Sequence, residues 1–121
     1  MATGLIATAA DELLSVLASN YTWVQLHTGD PGANGTANVA DEDTRKQVTW
    51  ASPSGGVLTS DEDLEWEGVP ASEDFTHFSV WSAETNGTCG FTGEITANAV
   101  APGDTFRIRA GQLSAFFVVA S

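Results

Sequence analysis

The spacing of apolar residues changes once along this chain. Near the N-terminus, Ile6, Ala10, Leu13, Leu14 and Leu17 recur at helical intervals and form one stripe. Thr8 stands where an N-cap is expected, and Asp11 and Glu12 fall where a helix start favours negative charge. Ser19-Asn20 supplies a stop, because Asn tolerates the left-handed conformation. The pattern predicts one helix over about 8–19. After Tyr21 the intervals shorten. Strand-like runs lie at 21–28, 46–51, 55–60, 63–68, 75–83, 90–97, 104–111 and 113–120. Alternation is cleanest where Phe106, Ile108 and Ala110 interleave with Arg107 and Arg109. In "FTHFSVW", His77 shares a face with Phe75, Ser79 and Trp81, opposite Phe78 and Val80. The turn-rich stretches "GDPGANG", "SPSGG", "GVPASED", "ETNG" and "APGD" separate the runs. Asn86-Gly87 is the strongest hairpin signal, and Pro102-Gly103 before Asp104 marks a tight turn. Short strands this closely spaced predict a mainly β fold, a single-domain β-sandwich or jelly-roll-like unit over 1–121 with one short N-terminal helix.

Charge narrows the list of partners. Sixteen acidic residues against four basic ones give a formal net charge of −12. That disfavours nucleic acid, whose binding depends on Lys and Arg neutralising phosphates, and it disfavours an anionic membrane surface. The longest apolar run, Ala115 to Ala120, is far shorter than the roughly 20 residues of a membrane span. "MATGLIATAADELL" has no basic region before its apolar residues, unlike a signal peptide. The acids gather in "DED" (41–43), "DEDLEWE" (61–67) and "SED" (72–74), as solvated loops do. With Lys46 the sole lysine, the excess also suits a salt-rich environment, where screening relieves self-repulsion.

Candidate chemistry is sparse. "WVQLHTGDPG" (23–32) places His27 near Asp30, either as part of a catalytic or metal site or as a structural corner. Catalytic zinc wants three protein ligands, and His27 and His77 are the only histidines. Cys89 is the single cysteine, which leaves no intrachain disulfide and suits a small buried thiol in a strand. Nucleophile-elbow, phosphate-loop and dinucleotide patterns are absent, and no cofactor is implied. "DEDLEWEGVPASE" fails as a calcium loop because Trp66 occupies the position that needs Gly; a weak cation site among these carboxylates stays open. Trp23, Trp50, Trp66 and Trp81 suit core or interface anchors, with sugar stacking the alternative. Asn-x-Thr sequons occur at Asn20, Asn34 and Asn86. At the corner itself Pro31 fixes φ, Gly29 and Gly32 allow conformations closed to other residues, and the Asp30 side chain can accept a backbone bond. The structural corner is the better reading.

Taken in order, "LHTGDPGANGTAN" (26–38), "TRKQVTWASPSGG" (44–56), "WEGVP" (66–70), "THFSVWSAETNG" (76–87) and "GEITANAVAPGDTFRIRAGQL" (93–113) resemble a family of small tailed-phage virion proteins. Its members are often labelled tail fibre or minor structural proteins, and the resemblance covers about residues 5–115. It implies an all-β domain that packs against other virion subunits and catalyses nothing. In it, Gly29, Asp30, Pro31 and Gly32 shape a turn, while Trp81, Gly103 and Asp104 fix later strand ends. The acidic load departs from the pattern, which leaves two sources open, a haloarchaeal or an actinobacterial tailed virus. The leading expectation is a capsid decoration protein, a homo-oligomer and most simply a trimer, clamping the major capsid protein from outside the shell. The helix at 8–19 would cap the β-unit or dock on a neighbour. "LSAFFVVAS", with Phe116 and Phe117 on opposite faces, would be a core strand or an edge strand completed by a partner. The alternatives are a tail-fibre, tail-tip or baseplate component, a carbohydrate- or receptor-binding module, and, furthest off, a small metal-dependent hydrolase using His27 and His77.

Overall fold

Each predicted strand region overlaps one observed strand, although β5 begins two residues early and β6 runs past its predicted region at both ends. The computed structural model describes residues 6–116. Helix α1 (Ala7–Asn20) is followed by β1 (Trp23–His27), β2 (Lys46–Gln47), β3 (Val57–Thr59), β4 (Leu64–Trp66), β5 (Glu73–Trp81), β6 (Cys89–Val100), β7 (Phe106–Ile108) and β8 (Ser114–Phe116). The fold is mainly β, with one helix and several antiparallel sheets. A four-stranded sheet runs in the order β2-β1-β5-β6, and β3–β8 and β4–β7 form two-stranded ribbons.

Register explains how the main sheet becomes two-sided. Val24 pairs with Val80 and Leu26 with Phe78, while Trp23 pairs with Trp81 and Gln25 with Ser79. Because neighbours alternate sides, Val24, Leu26, Phe78 and Val80 share one apolar face. They join Leu64, Trp66, Phe106 and Ile108 of the β4–β7 ribbon, with Ala40, Val48, Val69, Phe75 and Leu113, in a single buried cluster. Trp66 and Phe75 both pack on Phe106, with ring centroids 6.0 and 4.7 Å apart. The opposite face carries Gln25, His27, Ser79 and Trp81, which are also buried. Something other than a second sheet must cover it.

The helix departs from its expected details. Its N-cap is Ile6, with no side-chain cap bond, so Thr8 lies inside the first turn. Asp11 instead accepts the Gly56 N–H at 2.8 Å and ties α1 to the turn before β3. At the other end Tyr21, in extended backbone, donates to Leu17 O; the left-handed asparagines are Asn38 and Asn86, not Asn20. Ala10 and Leu14 are buried, but Leu13 is exposed and the inward stripe is narrower than the sequence suggests.

Two strand expectations also need correction. Phe75 sits in the core, whereas His77, Ser79 and Trp81 do not join that cluster, and the β5–β6 register shifts between Phe75 and His77. A bulge there breaks the alternation on which the shared face depended. Likewise β7 stops at Ile108, because the chain turns: Gln112 N–H donates to Arg109 O, and Ala110 N–H donates to Asp63 Oδ1. Ala110 is therefore exposed in a turn. Backbone pairing of Phe116 with Val57 places it in β8, and Phe117 lies outside the described residues.

Candidate functional site

The corner at 27–38 covers the polar face of the sheet. His27 closes β1, and the Thr28 N–H donates to Asn38 O at 2.9 Å, bringing the loop back beside the strand end. Between them, Asp30 Oδ1 accepts from the Gly32 N–H at 2.8 Å, and Gly32 has φ 77°. Pro31 is fully buried and its carbonyl accepts the Ala37 N–H. Asn38 Nδ2 donates to Asp30 O. Gly29 lies against Asn38, where a Cβ would approach its side chain to 3.1 Å. Gly35 shows how tightly the loop lies down: its φ is 72°, and a Cβ there would come within 2.5 Å of Cys89 Sγ.

Beneath the loop runs a continuous chain of hydrogen bonds. The carbonyl of Ala37 can only accept, so His27 Nδ1–H donates to it at 2.8 Å. That leaves His27 Nε2 as the acceptor for the Ser79 hydroxyl at 2.7 Å, while Trp81 Nε1–H donates to Ser79 Oγ at 2.7 Å. Neither His27 nor Ser79 has exposed surface. Burial pushes the His27 pKa below its ordinary value, and the bond to Ala37 only partly offsets this. A serine this close to a histidine resembles a nucleophile and its base. Both are sealed from substrate, however, and the hydroxyl is engaged on both sides. The arrangement joins loop to sheet.

The remaining candidate groups do not converge on a site. His77 is opposite His27 in register, but its Nδ1 lies 2.8 Å from Thr76 Oγ1 and its Nε2 lies 3.8 Å from Glu94 Oε1. Among the described residues, no group of three or more His, Cys, Asp or Glu is placed to hold a metal ion. Burial raises the Cys89 pKa, away from the thiolate form that reactivity requires.

Three of the four tryptophans have internal partners. Trp66 is buried with its indole N–H on Thr44 O, and Trp50 is half-buried with its own on Tyr21 O. Trp81 is buried and Trp23 is half-buried. The buried rings of Trp66 and Trp81 are closed to a sugar, while Trp23 and Trp50 keep part of their surface in water.

The predicted turns lie at β-strand connections. Asn86 and Gly87 adopt φ 57° and 75° within the 82–88 connection between β5 and β6. Arg45 stacks on Trp81 at 4.1 Å and donates to Ala83 O and Asn86 O, holding that connection down. In the 101–104 turn, Asp104 N–H donates to Ala101 O, Asp104 Oδ2 accepts the Ala101 N–H, and Gly103, after Pro102, has φ 90°. Sequence reasoning missed Ser79, Arg45 and Gly35. Arg45 alone left a trace, as a rare cation in an acidic chain.

Among the described residues no helix is long and apolar enough to cross a membrane. A family model described as Podophage GP4 fiber I protein gp80 matches residues 12–115, from α1 through the corner and network to β8. No curated protein matches the chain.

Proposed function

The chain belongs to the family described as Podophage GP4 fiber I protein gp80 and is a tailed-phage virion protein; from that premise we propose that it is a non-enzymatic structural component of the tail fibre. The observation that carries this reading is the extent of the match, which takes in most of the chain rather than one motif. The family favours the fibre placement and gives no support to the capsid decoration role that the sequence led us to expect. The geometry agrees with a structural part, because the buried His27–Ser79–Trp81 chain and the Arg45 clamp fasten loops to a sheet. The fibre unit is a homo-oligomer, a trimer in its simplest form, and it contacts other virion subunits through protein surfaces. The acidic surface disfavours contact with packaged DNA.

Part of the acidic load has a structural task. Asp11, Asp30, Asp63, Glu73 and Asp104 accept backbone N–H groups in turns, and Glu65 pairs with Arg107. Glu42 is buried, and the remaining acids are exposed and keep the surface anionic.

Quantitative mass spectrometry of purified virions tests the placement. A tail-fibre component is present at a small, fixed fraction of the major capsid protein. A copy number comparable with that of the shell protein would return the chain to the head.

A further inference from the structure

We propose that the corner at 28–38 is an acid-released lid: a proton on His27 breaks the chain of bonds beneath it, and the corner lifts off the sheet as a unit. The device acts within the folded chain and is independent of the fibre reading.

The neutral ring satisfies every donor and acceptor under the lid. Ala37 O holds the ring proton on Nδ1, which leaves the Nε2 lone pair for the Ser79 hydroxyl. The same oxygen accepts from Trp81 Nε1–H. A second proton reverses one of these bonds. Nε2–H then points at Ser79 Oγ, so two donors converge on one oxygen. The hydroxyl proton that Nε2 accepted loses its acceptor. A cation now stands where neither His27 nor Ser79 reaches water. The closed lid excludes this proton, and the proton, once bound, expels the lid.

The surrounding charges do not rescue the closed state. From β5, His77 stands opposite His27 in register and can only add positive charge. Ahead of β2, Arg45 stacks on Trp81 as a second cation. From β6, Cys89 lies against Gly35 with its pKa raised by burial, and the exposed Glu94 faces His77. In the corner itself, exposed Asp30 is engaged by the Gly32 N–H. Past the bridge from His27 to Val39 come Asp41 and Glu42, whose N–H groups are tied to Glu73. Among the described residues no carboxylate forms an ion pair with His27.

Of the two covers over His27, the corner is the one that can move. Strand β1 is paired with β5 along its whole length. The corner keeps its own shape through Gly32 N–H on Asp30, Ala37 N–H on Pro31 O and Asn38 Nδ2 on Asp30 O. It is closed at its base by Thr28 N–H on Asn38 O, about which it can swing. Lifting uncovers Cys89 and the edge of Trp81, against which Gly35 lies.

Native-state hydrogen exchange of the full chain, read by mass spectrometry on peptides spanning 28–38, tests the lid. Labelling times are scaled for the intrinsic pH dependence of amide exchange. From about pH 7.5 to about pH 5, protection of the corner should fall at least about tenfold, because the lower pH lies more than one unit below the ordinary histidine value. This exchange should ignore dilute urea, whereas β1 and β5 amides should respond steeply, since only global unfolding exposes them. His27→Gln, neutral at both pH values, should lose the acid step, and His77→Gln should keep it. Corner exchange that is equal at both pH values would overturn the proposal. So would corner exchange that rises with urea alongside β1 and β5, because the lid would then open only with the whole domain. An acid step that vanishes in His77→Gln would overturn it as well, and that variant decides the matter if circular dichroism shows His27→Gln to be unfolded.

Discussion

Replacing Ser79 with Ala removes one oxygen atom and interrupts the whole His27–Ser79–Trp81 chain. Ser79 is completely buried, and its hydroxyl serves His27 Nε2 and Trp81 Nε1, each at 2.7 Å. Without it, a buried acceptor and a buried donor lose their partner together. Each orphaned group costs about 1–3 kcal/mol, so Ser79→Ala is expected to destabilise the protein by about 2–6 kcal/mol. Little of this comes from packing, because alanine leaves almost the same volume. For a chain of this length the loss corresponds to a fall in Tm of very roughly 8–24 °C. Urea unfolding followed by tryptophan fluorescence measures it, since Trp81 lies within the network. A partial control is Thr76→Ala, whose hydroxyl contacts His77 on a half-buried part of the strand; it should cost under about 1 kcal/mol. A Ser79→Ala effect below about 0.5 kcal/mol would refute the argument that this chain of bonds fastens the corner to the sheet.

Other outcomes follow from the same geometry. Burial lowers the His27 pKa, so the folded state resists protonation; its contribution to stability is whole above about pH 6.5 and is lost as pH falls below that towards the depressed folded value. The urea midpoint should therefore drop between pH 7.5 and 5.5, with His27 contributing at most about 1.4 kcal/mol per pH unit. His77→Gln should keep that slope, and a slope that disappears in His77→Gln would assign it to the wrong histidine. Gly35→Ala forces a Cβ to within 2.5 Å of Cys89 Sγ at φ 72°, and should cost about 2–4 kcal/mol by thermal melt; a cost under about 0.5 kcal/mol would show that the loop lies loosely. Net charge −12 means that screening should raise Tm between low and molar KCl, and an unchanged Tm would show that the acids are too dispersed to repel.

The sequence revealed more of the fold than of the site. Period and turn chemistry located the helix and a core for every strand, because alternation and Gly, Pro or Asn punctuation are local signals. Strand lengths were poorer, since pairing decides them: the β7 region was expected to continue through Ala110, but Gln112 and Asp63 capture the backbone there. Leu13 shows a different limit. Its helical spacing puts it on an apolar arc, yet only tertiary packing determines which part of that arc the domain covers. The corner "LHTGDPG" was legible as a turn, but what it covers was not. Ser79 lies far along the chain from His27 and meets it only through the β1–β5 register. Residues that bridge in this way are ordinary in sequence. The fibre placement was not legible in composition at all, and compact size pointed instead towards the capsid.

Electron microscopy of virions labelled with gold-conjugated antibody against this chain tests the central claim most directly. The account expects gold on the fibres at the tail, with the head surface bare. Gold distributed over the capsid, with none at the tail, would contradict it.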